Sequence, residues 1–380
     1  MSEKPVVAHL HGCCWLPTQT FIYNYVANHR RFRPINLVGE RKTEGGFSSP
    51  EEDIYVVPRT YPARFSPAWF HTRLRGFEPA DGRLLEILRE RRAKLIHAHF
   101  GTQGVYAVGL KRKAGLPLAT TFYGYDVSRL PGEAGWKRAY RRLFQDGELF
   151  LTEGPRMKAR LVELGCPEEK VKIQRIPIPL EKIAFRARPP SEKAVLLFSG
   201  RFTEKKGLLY ALEAVLRVRK TRRDFELRLI GDGELREEIT SFISRNAMGE
   251  YVEWLGFLPY DRYVEEMEKA DLFVHPSVTA ADGDSEGGAP TTILEAQASG
   301  MPVIATFHAD IPNVVSPGKS ALLSRERDVE GLTANIIALL EDRGRWAEMG
   351  RAGRSFVEEF HGIDKSVAEL EQKYSALLER

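Results

Sequence analysis

From Ala194 onward the chain alternates short apolar runs with stretches of helical periodicity, and no other feature limits its fold as much. Ala194–Phe198, Phe225–Ile230, Val252–Leu255, Leu272–His275 and Val303–Thr306 read as strands, with a last short one at Ala321–Leu323. Residues 207–219, 235–245, 260–269 and 292–299 read as the helices between them. Such short apolar runs suit strands buried on both faces of a parallel sheet. Parallel neighbours require crossover helices, and right-handed crossovers gather the loops beyond the strand C-termini on one edge. A ligand is expected at that edge. The tail, 327–380, is mostly helical in pattern.

The first half repeats the theme less cleanly. Val6–Leu10, Ile35–Val38, 95–100, 117–122 and Lys172–Ile178 are candidate strands, and 17–26, 84–92 and 105–113 candidate helices. Residues 40–82, rich in Gly, Pro, Ser and aromatics, suggest long loops and short helices. Ile176-Pro177-Ile178-Pro179 excludes helix interior, because each proline removes a donor and restricts its predecessor. The polar, proline-bearing stretch 181–192 is the expected linker. The reading is therefore α/β, with two doubly wound Rossmann-like domains. Residues 1–185 form the first, 186–355 the second, and 356–380 a helical segment that can cross back to the first.

The 380 residues suffice for two cores. No apolar stretch approaches the roughly 18 residues of a membrane-spanning helix, and no signal peptide is evident, so the cytoplasm is the expected location. Cys13, Cys14 and Cys166 form neither a disulfide framework nor a zinc spacing. Net charge is +4, but unevenly spread. Residues 1–190 hold 32 Lys and Arg against 19 Asp and Glu, and residues 191–380 hold 24 against 33. Basic clusters at 89–92 and 137–142, the latter beside Trp136, Tyr140 and Phe144, suggest contact with an anionic membrane or acidic partner; the plainer account is a solvated face. Scattered basic residues and the lack of any recognised module argue against nucleic acid.

Three turns carry chemistry. Ser199-Gly200-Arg201 closes one strand, and Lys206-Gly207 opens the next helix. Arg201 and Lys206 beside helix-start N–H groups suit a diphosphate, Arg as a fork and Lys as a point charge. Gly231-Asp232-Gly233 lets backbone approach a phosphate or sugar, or is simply a tight turn; as a dinucleotide fingerprint it is incomplete, because Arg236 takes the last glycine position. The run from Asp282 to Ala296 carries Asp282, Asp284, Glu286, Gly287, Gly288, Thr291 and Glu295 at a strand end, where carboxylates can accept from sugar or ribose hydroxyls. Its spacing does not meet a calcium loop. In the first half, His97 and His99 are placed on opposite faces of their strand, one toward the core and one, His99, toward the site. His9 and His11 are placed likewise. No spacing among the four supports zinc.

These residues occur in GRFTEKKG at 200–207, LIGDGELREEI at 229–239, DLFVHPS at 271–277 and EGGAPTTILEAQASGMPVIAT at 286–306, with LIHAHFG at 95–101 and TFYGYD at 121–126. In that order they resemble the family 4 glycosyltransferases, retaining enzymes of the GT-B fold, whose two Rossmann-like domains face each other across a cleft. Within the family the chain resembles enzymes of bacterial exopolysaccharide and colanic-acid-type assembly. The resemblance implies that Arg201 and Lys206 bind the donor diphosphate, with Gly200, Gly231, Gly233, Gly287, Gly288 and Thr291 lining the nucleotide-sugar. Glu295 would then hold the ribose and Glu286 the donor sugar. The chain departs from the family twice. Eight residues separate Glu286 from Glu295 where the family has seven, so Gly287 competes with Glu286 for the first glutamate's place. Tyr123 stands where the family commonly has histidine near the reacting sugar, and His99 is the nearest candidate to assist it.

The expected activity is transfer of a hexose-type sugar from a nucleoside-diphosphate sugar to a saccharide or lipid-linked acceptor, with no metal and no other cofactor, in the cytoplasm or at the inner face of the membrane. The alternatives are a glycogen- or sucrose-type synthase or sugar phosphorylase on the same fold, an epimerase acting on a nucleotide-sugar, and a non-catalytic partner that kept the fold. The base, sugar, acceptor and oligomeric state are not legible.

Overall fold

A computed structural model describes residues 3–14, 19–41, 53–58 and 79–379. Most of the 40–82 segment therefore lies outside the described residues. The chain divides into two compact units, one of 1–152, 158–174 and 364–380, the other of 153–157 and 175–363.

The first unit is built on a parallel seven-stranded sheet in the order β3-β2-β1-β4-β5-β6-β7. Its strands are β1 (Val6–Cys14), β2 (Arg33–Arg41), β3 (Ile54–Val56), β4 (Ala93–His99), β5 (Leu118–Thr121), β6 (Leu149–Thr152) and β7 (Val171–Ile173). The second unit has six parallel strands in the order β10-β9-β8-β11-β12-β13. They are β8 (Ala194–Ser199), β9 (Phe225–Ile230), β10 (Val252–Gly256), β11 (Leu272–His275), β12 (Val303–Thr306) and β13 (Ala321–Ser324). Both orders reverse direction beside the first strand of the sheet, between β1 and β4 and between β8 and β11. That is the doubly wound arrangement, and its reversal point is where ligands bind. Among the described residues no helix is long and apolar enough to cross a membrane.

Strand alternation divides the second core. Ala194, Leu196 and Phe198 of β8 pack on one face of the sheet, Leu197 on the other. The helix Leu208–Arg219 follows because Leu208, Ala211, Leu212, Val215 and Val218 recur at helical spacing and are all buried. The helix Val329–Glu341 starts where the Asp328 side chain accepts from Gly331 N–H at 2.8 Å.

Four elements were not anticipated: strand β3, which falls where loops and short helices were expected, the helices Trp136–Asp146 and Pro155–Glu163, and strand β6 between them. The first helix is so rich in charge that its apolar stripe, Tyr140, Leu143 and Phe144, is narrow. That stripe faces the core, so Tyr140 and Phe144 are not available to a bilayer. The exposed residues of that helix are Lys137, Arg138, Arg141, Arg142 and Gln145.

The chain passes between units at Gln174–Arg175, before the expected linker. Ile178 bridges to Gly362, donating its N–H to His361 C=O at 2.8 Å, while His361 Nδ1 donates to Ile176 C=O at 2.9 Å. Those bonds hold 176–178 in the second unit. Arg188 is fully buried there and donates to the Met267 and Ala270 carbonyls at the end of helix Tyr260–Lys269. The final helix, Ile363–Leu378, belongs almost wholly to the first unit.

Candidate functional site

In the second unit the loops after β8, β11 and β12 meet at the reversal point. Gly207 makes the first approach feasible: its φ is +68°, and a Cβ there would lie 1.9 Å from Pro276 C=O. Gly231 is equally constrained, with φ +134° and the Gly200 carbonyl 1.9 Å from where a Cβ would be. The glycines of the 231–233 turn thus serve the packing of the β9 loop on the β8 loop.

Glu286 is buried against the partly buried Lys206, whose Nζ lies 2.8 Å from a carboxylate oxygen. Ser277 donates to Glu286 at 2.9 Å, and His275 Nε2 is 3.4 Å away. Burial alone would raise the Glu286 carboxyl, but Lys206 and His275 hold it well below the usual range. Burial lowers Lys206, with Glu286 pulling the other way. Glu286 is therefore ionised, with Lys206, Ser277 and His275 around its carboxylate. Its backbone is fixed too, since Glu286 N–H donates to His308 Nε2 at 3.1 Å and His308 Nδ1 donates to Glu326 at 2.7 Å. Sequence reading missed His308, although it follows β12 at the same sheet edge.

The carboxylate that reaches Lys206 is that of Glu286, and Gly287 follows it with φ +74°. Gly288 has a different reason to lack a side chain: a Cβ would lie 1.9 Å from Glu153 Oε2, which accepts from Ala289 N–H at 3.0 Å. Beside this pair, Lys205 is held by Asp284 at 2.9 Å, and Glu204 accepts from Ala281 N–H. Arg201 is exposed and has no ion pair among the described residues.

Thr291 begins the helix Thr291–Ser299, whose N-terminus has no side-chain cap; the Thr292 hydroxyl is buried without a partner among the described residues. Glu295 lies one turn further on and is buried, accepting from Tyr260 at 3.3 Å. Burial pushes its carboxyl up to about 7, with the Tyr263 and Tyr260 hydroxyls pulling it down.

The first unit holds a different kind of site. His97 and His99 are both buried, with ring centroids 4.3 Å apart. The expectation of opposite faces is corrected on simple grounds: side chains two residues apart on a strand share a face. His9 and His11 are likewise both buried. His99 Nδ1 is 2.6 Å from the Tyr123 hydroxyl, so the two candidates are in direct contact. Burial first, then the neighbouring imidazoles, holds His9 and His99 well below the usual histidine range and brings His97 down to about 3. Donor atoms of His9, His97 and His99 lie within 4.8 Å of one another. Yet His9 and His99 are bonded to each other at 3.0 Å, and both His97 nitrogens meet hydroxyls, of Tyr374 and Thr121. The lone pairs a metal needs are already engaged.

Asp126 fixes the turn that carries Tyr123. Its carboxylate accepts from Gly101, Tyr123 and Gly124 N–H at 2.8–3.0 Å, which offsets the upward push of its burial. Between His99 and Gly101, Phe100 takes φ +74° and ψ +145°, a region that L-residues avoid at a cost of about 1–3 kcal/mol. Such strain accumulates at functional sites.

Comparison with known proteins agrees with this layout. Residues 180–356 match the family described as Glycosyl transferases group 1, and residues 42–182 match Glycosyltransferase Family 4. The chain is 32% identical over 284 residues to the "Putative colanic acid biosynthesis glycosyltransferase WcaL" of Escherichia coli, covering 74% of this chain and 69% of that one. It is 33% identical to the amylovoran biosynthesis glycosyltransferase AmsK of Erwinia amylovora, covering 70% and 66%. Among solved structures, Anabaena HepE in complex with UDP superposes with a TM-score of 0.76, covering 98% of this chain and 100% of that one at 16% identity. That last likeness concerns the fold.

Proposed function

The chain belongs to the glycosyltransferases of GT-B type related to those of colanic acid and exopolysaccharide biosynthesis, and on that premise we propose that it is a retaining enzyme. It moves a hexose from a nucleoside-diphosphate sugar to a saccharide or lipid-linked saccharide. The observation that carries this reading is the Lys206–Glu286 pair at the reversal point of the second sheet, next to the exposed Arg201.

As the bond to the sugar breaks, negative charge builds on the departing diphosphate. Arg201, Lys206 and the open N–H groups at Thr291 and Thr292 meet that charge. Lys206 and the helix N–H groups are held in place beforehand, so they stabilise the transition state more than the ground state. Protein cations supply this stabilisation in our reading, so no metal is invoked. Glu286 orients Lys206 and accepts from donor-sugar hydroxyls, and Glu295 accepts from the ribose. Tyr123, in the first unit, is assigned to a sugar hydroxyl.

The acceptor is assigned to the first unit, whose sequence is the more basic. The exposed Lys137, Arg138, Arg141 and Arg142 suit an anionic surface, each adding roughly 1 kcal/mol near it. These cations support a location at the inner face of the membrane. Co-sedimentation with anionic but not neutral vesicles, weakened by salt, tests that part. The transfer itself is tested by supplying nucleoside-diphosphate sugars with candidate acceptors and determining the anomeric configuration of the product. Inversion, or hydrolysis without transfer, contradicts the proposal.

A further inference from the structure

The buried histidines of the first unit are more than packed core. Starting from the C-terminal helix, Glu371 Oε1 lies 3.2 Å from His29 Nδ1. His29 Nε2 lies 3.1 Å from His9 Nε2, His9 Nδ1 lies 3.0 Å from His99 Nε2, and His99 Nδ1 lies 2.6 Å from the Tyr123 hydroxyl. Glu371 and Tyr123 are thus joined through three imidazoles drawn from β1, β4 and the turn before β2.

A neutral imidazole has one N–H and one lone pair, so each ring passes on the direction it receives. The direction is set at Glu371. That oxygen already accepts from the Arg30, Arg31 and Phe32 N–H groups, at 2.8, 2.8 and 3.3 Å, as a carboxylate does. Those N–H groups and His29 hold its carboxyl below the usual range despite burial. A carboxylate only accepts, so His29 carries its proton on Nδ1 and accepts at Nε2. His9 then donates from Nε2 and accepts at Nδ1. His99 donates from Nε2 and accepts at Nδ1, and Tyr123 must donate to His99.

We propose that Glu371, His29, His9 and His99 form a directional relay that commits the Tyr123 proton inward, so that Tyr123 presents its oxygen to the substrate as a hydrogen-bond acceptor. The recognised group is a sugar hydroxyl, which rests on the glycosyltransferase reading given above. This gives Tyr123 a defined role where the resemblance leads one to expect histidine. Glu371 and the three imidazoles act as positioning residues, because they reach the substrate only through Tyr123. Residues 342 positions apart are coupled in this way.

The test begins with the unmodified protein. Nitrogen-15 NMR of the imidazoles at about pH 8, above the ordinary histidine value of about 6.5, reads each tautomer, with single His→Asn variants giving assignments. The relay predicts His29 protonated on Nδ1 and both His9 and His99 on Nε2. The opposite tautomer at His9 or His99 overturns it, whether or not the protein transfers sugar. Glu371→Leu, which removes the acceptor oxygen that fixes the direction, is expected to release the His99 tautomer although three hydrogen bonds separate them. An unchanged His99 signal in a folded variant contradicts the relay. For activity, Tyr123→Phe and Glu371→Leu should each lower kcat/KM by roughly tenfold or more. The double variant should be no worse than the poorer single one, because both break one chain. Additive losses would mean that Glu371 acts structurally. No transfer by the parent protein, with the predicted tautomers present, would instead count against the enzymatic reading alone.

Discussion

The two units share a sheet design but hold their polar groups in opposite ways. In the second, opposite charges face each other directly in partly buried pairs, Lys206 with Glu286 and Lys205 with Asp284. In the histidine row of the first, one carboxylate, Glu371, stands at the end of a series of imidazoles. A charged pair is local and fails when either partner goes. A hydrogen-bonded row is extended and depends on direction more than on strength. In the proposed function the difference also separates tasks: the second unit meets an anion and the first orients a hydroxyl.

The largest effect should come from Lys206→Ala. It leaves Glu286 buried without its counter-ion, so thermal or denaturant unfolding should show a loss of about 3–5 kcal/mol. A loss below 1 kcal/mol, read from the same curves, would mean that the pair is effectively solvated and the contrast between units is overstated.

Glu295 gives the next effect, through pH. Its folded-state value of about 7 lies above the ordinary 4.5, so the unfolded chain holds fewer protons than the folded one between those values. Stability from this group is therefore present below pH 4.5 and lost as pH rises to 7, by about 3 kcal/mol in all. Glu295→Gln should flatten that slope. An identical slope in both proteins would assign the pH dependence elsewhere.

A smaller loss is expected in the first unit. Asp126→Asn keeps the shape of the side chain but turns an acceptor oxygen into a donor facing one of three backbone N–H groups. The cost should be about 1–3 kcal/mol, with transfer activity falling through the displaced Tyr123 turn. Full stability and full activity together would show that the turn does not need the carboxylate.

How much of this was legible follows the same division. The second unit keeps its chemistry in short contiguous stretches at strand ends, so GRFTEKKG and the 286–295 run announced both the sheet edge and its charges. The histidine row had no such address. His9, His29, His99 and Glu371 come from separate elements, and only the return of the last helix to the first unit joins them. The pairing of His97 and His99 on one face was open to sequence reading, since strand periodicity dictates it, and was misread. Tyr140 and Phe144 were misassigned because their helix shows more charge than apolar stripe. His308 and Arg188 act by holding backbone, a role that leaves no motif.

The central claim is that protein cations in the second unit receive the donor diphosphate. Titration calorimetry of a panel of nucleoside diphosphates, with chelator present, into the parent protein and Arg201→Ala tests it most directly. Arg201 is exposed and lacks an ion pair among the described residues, so its removal should leave the fold intact. The account predicts binding to the parent in chelator and a loss of about 1.5–3 kcal/mol in the variant, the worth of a hydrogen bond to a charged group. Equal affinity in both proteins, or binding to the parent only after magnesium or manganese is restored, would contradict it.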